Sequence, residues 1–395
     1  MDQFSGRRSR LAAHTGIDAM QLNDIATPAA IVDVRKMRAN IGRMQQRMNQ
    51  LGVTFRPHVK TTKCIEIVRE QVAAGARGIT VSTLKEAEAF FEEGVRDILY
   101  AVEMAPAKLA KALELRRQGC DLKLLVDNRA SATAVARFAG DHQHAFEVWI
   151  EIDADGHRAG VQPGDPVLVE IARALQTGWT RLGGVLAHAG SSYAASSPPA
   201  LQEIAERERA GCVAAARSIR NAGITCAAVS VGSTPTALSA LTLPGVTEVR
   251  AGVYVFFDLV MANIGVCTIE DIALSVLSTV IGHRTDKGWI LVDAGWMAMS
   301  RDRGTQQQAV DYGYGQVCDL DGRPLRGVMM TQANQEHGII CDTLAEGEDI
   351  EKRFPIGSQV RILPNHACAT ATQFDRYELV DGGERIATWS RFHGW

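Results

Sequence analysis

The stretch that decides the fold is DILYAVEMAPAKLAKALELRRQGCDLKLLVD, residues 97–127. Residues 97–102 and 122–127 are short, nearly continuous apolar runs. Between them, Leu109, Ala112 and Leu113 recur at helical spacing, with Lys and Arg on the opposite side. Short apolar runs read as strands buried on both faces, and the amphipathic stretch between them reads as the crossover helix of parallel strands. One such pair is a βαβ unit.

The same alternation extends in both directions. Upstream lie apolar runs at 53–57 and 78–82; downstream lie runs at 146–153, 182–188, 227–231 and 246–251. Helical stretches such as 84–93 and 201–221 separate them. Eight units in about 250 residues predict a (β/α)₈ barrel, an α/β fold of TIM type. A ninth run, 28–34, with its helix 35–51, is read as leading into the barrel, so this domain is set at residues 27–265. No strand is followed by GxGxxG, and GxxxxGK[ST] is absent from the chain. Both facts count against a dinucleotide-binding sheet or a P-loop.

After residue 265 the texture changes. Runs at 272–281, 289–292, 310–318, 327–331, 359–363 and 377–379 alternate with Gly/Asp turns and little helix. They predict a mostly β C-terminal domain over 266–395, joined by residues 1–26. The chain carries 42 Lys+Arg against 45 Asp+Glu, a net charge of −3, and no extended basic run, which argues against nucleic acid as the partner. No apolar run approaches a membrane span, and residues 1–26 lack the apolar core of a secretory signal. Eight scattered cysteines form no CxxC pair, which speaks for a reducing, cytoplasmic setting and against a zinc ribbon or disulfide scaffold.

Barrel enzymes gather their chemistry where strands end. Those positions hold Lys60, Arg158, His188, Gly232-Ser233-Thr234 and Gly252-Val253-Tyr254. The last two clusters follow the seventh and eighth strands, where small residues let amides approach a phosphate; two tight turns are the competing reading. A lysine at a strand mouth can act as an imine-forming amine, or be an ordinary solvated lysine. One strand-end lysine facing one phosphate site fits pyridoxal phosphate, with Arg158 toward its phenolate oxygen. In the C-terminal domain, His366 and Cys368 fall on one side of an extended chain and can share a metal, or form a buried hydrogen-bonded pair.

The Pro57-His58-Val59-Lys60-Thr61 motif, Gly232-Ser233-Thr234, Arg250-Ala251-Gly252-Val253-Tyr254, Val292-Asp293-Ala294-Gly295, Glu336-His337-Gly338 and His366-Ala367-Cys368 occur in one order. This pattern, from about Thr27 to Trp395, resembles the D-serine dehydratase/D-threonine aldolase-like family of pyridoxal-phosphate enzymes, with an alanine-racemase-like barrel and a β domain. The resemblance implies that Lys60 carries the cofactor and takes the α-proton, and that Arg158 holds the phenolate. It further implies that Gly232, Ser233, Thr234, Gly252 and Tyr254 bind the phosphate, and that His366 and Cys368 ligate a divalent metal. His188 and Tyr193 are placed beside the cofactor ring or in the surrounding packing. The aldolase branch carries His-x-Asp where this chain has Cys368, so the chain sits with the dehydratases.

The activity so implied is removal of water and then ammonia from a β-hydroxy D-amino acid: 3-hydroxyaspartate would give oxaloacetate, and serine pyruvate. Retro-aldol cleavage to glycine and an aldehyde is the alternative, and a non-catalytic pyridoxal-phosphate carrier a distant one. The residues leave zinc, manganese, magnesium and cobalt undistinguished. Arg301 and Arg303 are candidates to face a substrate β-carboxylate, or are exposed turn residues. A homodimer is expected from the family, and the work of Glu336 and His337 does not follow from their spacing.

Overall fold

The computed structural model describes residues 20–344 and 349–395. Contacts divide these into two compact units, residues 43–252 with 394–395, and residues 20–42 with 253–393.

In the first unit all eight anticipated strands form, all parallel: Thr54–Pro57, Ile79–Val81, Asp97–Glu103, Asp121–Val126, Phe146–Ile152, Thr180–Ala187, Ala228–Val231 and Glu248–Ala251. The eighth pairs with the first. First and second meet through a His58–Thr80 bridge, with the Val59 amide donating to the Thr80 carbonyl at 3.0 Å and the Arg77 amide to the Phe55 carbonyl at 2.8 Å, so the sheet nearly closes into a barrel. Several helices start on a capping side chain: Thr83, Asn128, Ser197 and Ser233 each accept an amide of the first turn. The barrel floor is polar but paired. Arg56 donates to Glu248 at 2.7 Å and to Asp97 at 2.7 and 3.1 Å, and Lys123 reaches Asp97 at 2.6 Å. A buried guanidinium persists there because its donors meet carboxylates.

The second unit is built on an antiparallel sheet. Leu274–Arg284, Trp289–Val292, Gly338–Asp342, Pro324–Ala333, Gly315–Cys318 and Gln359–Leu363 pair in that order, and the last returns to the first, closing a six-stranded barrel. Val276, Val280, Ile290, Met330, Ile340 and Ile362 fill it. The strand Ala29–Asp33 also belongs here, antiparallel to Leu274–Arg284 and parallel to Arg376–Asp381, which continues into Glu384–Ser390. That corrects the reading of residues 27–42 as part of the barrel domain. This strand is buried along its length because it is flanked on both edges, and an apolar run of that kind looks alike in either sheet. The unit also begins at 253 rather than 266. Met20–Gln21 pairs with Glu384–Ser390, as a joining N-terminal segment requires; the rest of that expectation, residues 1–19, lies outside the described residues. Three strands escaped the sequence reading, the two-residue Met20–Gln21 among them. Gly338–Asp342 is a short run after a glycine, and Glu384–Ser390 has no fully buried residue.

Candidate cofactor and metal sites

Lys60 lies in the turn after the first strand, exposed, and makes no ion pair among the described residues. Its neighbour Lys63 is consumed by a 3.0 Å ion pair with the buried Glu86. Of these two lysines, Lys60 is the one left outside an ion pair among the described residues.

Around the C-terminal ends of the strands stand His58, Lys60, Arg158, His188 and Arg250. Burial, then the charge of Lys60 and the two arginines, holds His58 well below the ordinary histidine pKa. Burial likewise lowers His188, to about 3, against the favourable pull of the Gly232 carbonyl. Both imidazoles are therefore neutral near pH 7. The His188 Nδ1–H donates to the Gly232 carbonyl at 3.1 Å, and the ring sits 6.1 Å from that of Tyr193, inclined by 47°. The buried His58 Nδ1 and Ser191 Oγ have no hydrogen-bond partner among the described residues. A cationic barrel mouth with neutral imidazoles and open polar atoms fits an anionic, aromatic cofactor such as pyridoxal phosphate.

Gly232-Ser233-Thr234 lies past the seventh strand as the cap and first turn of the helix Thr234–Ser239. Gly232 has φ +130°, and a Cβ there would lie 2.3 Å from the Arg250 carbonyl, so only glycine fits. The Gly232 amide donates to Glu208 at 3.0 Å, and the Ser233 amide donates to Thr236 Oγ1 at 3.0 Å. The Ser233 hydroxyl bonds Ser192 Oγ at 2.8 Å. Both amides are thus hydrogen-bonded within the chain in this structure. Gly252 passes close to the first-strand loop, where a Cβ would meet the His58 carbonyl at 2.9 Å. Tyr254 is wholly buried and belongs to the second unit.

Sequence reading missed three acidic groups in this unit because their value lies in contacts across the chain. Glu208, on the helix Pro198–Asn221, is 2 % exposed, and its Oε1 accepts the amides of Ala189 at 2.9 Å and Gly232 at 3.0 Å. It holds the sixth- and seventh-strand loops together beside His188. Burial raises its pKa. Glu151, at the end of the fifth strand, accepts from Arg158 Nη2 at 3.2 Å. Burial, then the hydrogen bond and charge of Glu103, push its pKa up to about 8, so this carboxyl pair keeps one proton, on Glu151.

In the second unit His366 is the extended cap of the short helix Ala367–Ala371, which contains Cys368. The stretch is not extended throughout, as the spacing argument assumed, yet the two side chains still meet in a hydrogen bond. His366 Nδ1 lies 2.6 Å from Asp302 Oδ2, which leaves Nε2 for a ligand. Burial opposes charge on His366, but Cys368 and then Asp302 outweigh it and raise its pKa to about 11. A metal must displace that proton. Buried Asp258 pins the segment, accepting the amides of Met261 at 3.0 Å and Ala367 at 2.9 Å. No group of three or more metal-ligating side chains occurs among the described residues. The imidazole–thiolate pair fits a divalent ion whose remaining positions are filled by water or substrate.

The Asp293 side chain and the backbone around His337 support the fold. Asp293 accepts from Ser278 Oγ at 2.7 Å, the Thr279 amide at 2.8 Å and Thr27 Oγ1 at 2.5 Å. The turn before Gly338 is closed by the Asn334 amide on the His337 carbonyl at 2.8 Å. It offers the Asn334 and Gln335 carbonyls to the amides of Trp296 and Met297, at 2.9 and 3.1 Å.

Two family models match: "Alanine racemase, N-terminal domain" over residues 32–260 and "Putative serine dehydratase domain" over 273–380. The chain is 63% identical to D-threo-3-hydroxyaspartate dehydratase of Delftia sp. (strain HT23), over 93% of this chain and 98% of that protein. It is 31% identical to the D-serine dehydratase of Dictyostelium discoideum, over 92% and 96%. It is 28% identical to a D-threonine aldolase of Arthrobacter sp, over 91% and 90%. Among solved structures, a Cys-to-Ala mutant of D-threo-3-hydroxyaspartate dehydratase in the metal-free form superposes with a TM-score of 0.94 at 62% identity, covering 95% of this chain and all of that one. The chain belongs to the family that joins an alanine racemase N-terminal domain to a serine dehydratase domain, alongside the D-threo-3-hydroxyaspartate and D-serine dehydratases.

Proposed function

We propose that this chain is a pyridoxal-phosphate- and divalent-metal-dependent dehydratase that converts D-threo-3-hydroxyaspartate to oxaloacetate and ammonia, with D-serine as a second substrate. The observation that carries the reading is the His366–Cys368 pair, oriented by Asp302, in a chain 63% identical to an enzyme of that name. Bound pyridoxal phosphate supplies an electron sink for the α-carbanion, and the metal a Lewis acid for the departing β-hydroxyl.

Lys60 holds the cofactor and removes the α-proton, a task suited to a lysine that makes no ion pair among the described residues. Arg158, steadied by Glu151, faces the phenolate oxygen. Gly232, Ser233, Thr234, Gly252 and Tyr254 attend the phosphate. His188 and Tyr193 bound the ring, and the low basicity that burial gives His188 keeps it from competing with Lys60 for the α-proton. We further read the protein as a cytoplasmic homodimer acting on a small molecule. No described helix is long and apolar enough to cross a membrane.

The runner-up, aldol cleavage, draws support from the 28% identity to an aldolase, but Cys368 favours softer metal ions than the carboxylate of that branch. The test supplies cofactor and metal, with and without chelator, and quantifies ammonia and glycine from D-threo-3-hydroxyaspartate, D-serine and D-threonine. Chelator-sensitive ammonia without glycine is expected; glycine would transfer the chain to the aldolases. In parallel, Lys60→Ala should abolish the visible absorption of lysine-bound cofactor, and Cys368→Ala should lose metal while keeping that absorption.

A further inference from the structure

Segment 299–305 is tied along its length to the stretch bearing His366 and Cys368. Thr370 Oγ1 donates to the Met299 carbonyl at 2.8 Å, and Asp302 meets His366 at 2.6 Å. Asn365 Nδ2 donates to the Asp302 carbonyl at 3.4 Å, and Thr305 Oγ1 to Asn365 Oδ1 at 2.9 Å. Arg301 stands between the first two anchors, so its backbone is fixed relative to the metal pair.

The residue before it is strained. Ser300 has φ 72° and ψ 168°, a region that belongs almost entirely to glycine. It is held from both sides: its amide donates to the Trp296 carbonyl at 2.9 Å, and its Oγ accepts the Asp302 amide at 3.1 Å. The sharp turn so made sends Asp302 to His366 and lays Arg301 over the Trp296 ring, with its Cζ 4.5 Å from the centroid. Trp296 itself sits on a helix start pinned by the Asn334 and Gln335 carbonyls, which Gly295 approaches so closely that a Cβ would fall 2.2 Å from one of them.

The two arginines of this segment differ in what remains for a ligand. Arg303 spends its Nη2 on Asp311, at 2.8 and 3.1 Å, and lies over Tyr314. Arg301 is exposed and makes no ion pair among the described residues. Stacking on an indole fixes the plane of a guanidinium while leaving its edge to grip a carboxylate with two parallel hydrogen bonds.

We infer that Arg301 is the specificity-determining residue that binds the second carboxylate of a dicarboxylic β-hydroxy amino acid. Strain at Ser300 is then the cost of placing a carboxylate receptor and a histidine-orienting carboxylate one residue apart. The inference rests on the dehydratase reading for the reaction, but not for the recognition of the carboxylate.

The test compares the cofactor- and metal-loaded wild type with Arg301→Met and Arg301→Lys. In Arg301→Met the ratio of kcat/KM for D-threo-3-hydroxyaspartate to that for D-serine should fall by about 10–100-fold, the worth of a hydrogen bond to a charged group. The lysine variant should recover part of it, and metal content should not change. Calorimetric binding of succinate to the same loaded proteins should weaken by a similar factor. A fall shared equally by both amino acids, or succinate binding unmoved by Arg301→Met, overturns the assignment. If the wild type turns over neither amino acid, the dehydratase reading fails while the succinate arm still decides: binding lost with Arg301 sustains the inference, and no wild-type binding refutes it.

Discussion

Replacing Glu208 by alanine should loosen the barrel mouth more than any nearby contact suggests. Its Oε1 accepts the amides of both Ala189 and Gly232, at 2.9 and 3.0 Å, in a site where the residue is 2 % exposed. A buried amide left without a partner costs about 1–3 kcal/mol, so Glu208→Ala loses roughly 2–6 kcal/mol, a large share of a typical stability of about 5–15 kcal/mol. Glu208→Gln keeps one carbonyl oxygen where both amides converge. It gives up charge assistance but also relieves a buried ion, so its loss should stay within about 1–2 kcal/mol. Because the Gly232 carbonyl in turn holds His188 Nδ1 at 3.1 Å, the damage should reach the cofactor. Urea denaturation gives the stabilities, and fluorescence titration with pyridoxal phosphate gives the affinities. The reasoning fails if the alanine variant is as stable as wild type, or if glutamine is as harmful as alanine, since then the shared oxygen is not what matters.

Asp302→Ala frees the His366 ring from its 2.6 Å partner and should weaken metal affinity about 10–100-fold, measured by competition with a chromogenic chelator; unchanged affinity would show that the carboxylate does not orient the ligand. The Glu103–Glu151 pair predicts a pH dependence. A carboxyl raised to about 8 keeps in the native state a proton that the unfolded chain releases above about 4.3, so stability should fall as pH rises through that interval and level off beyond it. Glu151→Gln removes the titration while retaining a donor toward Glu103, and its stability should be flatter between about pH 5 and 8; parallel curves for variant and wild type would place the retained proton elsewhere.

The eight barrel strands, and six of the strands in the second unit, were legible because burial writes apolar periodicity directly into the chain. Lys60, His366 and Cys368 were legible through motif and position. The partition of the two sheets was not: residues 29–33 read as a strand in any setting, and only pairing with Leu274–Arg284 and Arg376–Asp381 assigns them. The supporting carboxylates were equally silent. Glu208 is one of several acidic residues on a long amphipathic helix, and nothing local separates it from the exposed ones. Its function exists only where Ala189 and Gly232, 19 and 24 residues away, bring their amides to it.

Sequence by itself determined which residues are apolar, where glycine interrupts, and which reactive side chains end the strands, since each is a property of a residue and its near neighbours. Tertiary structure decided which groups those side chains face. It silenced Lys63 with Glu86, spent the Gly232 amide on Glu208, and left Arg301 stacked on Trp296 with no ion pair among the described residues, while Arg303 was neutralised by Asp311. Hydrogen bonds and charges act over a few ångströms, and distances that short between remote residues are fixed only when the chain has folded.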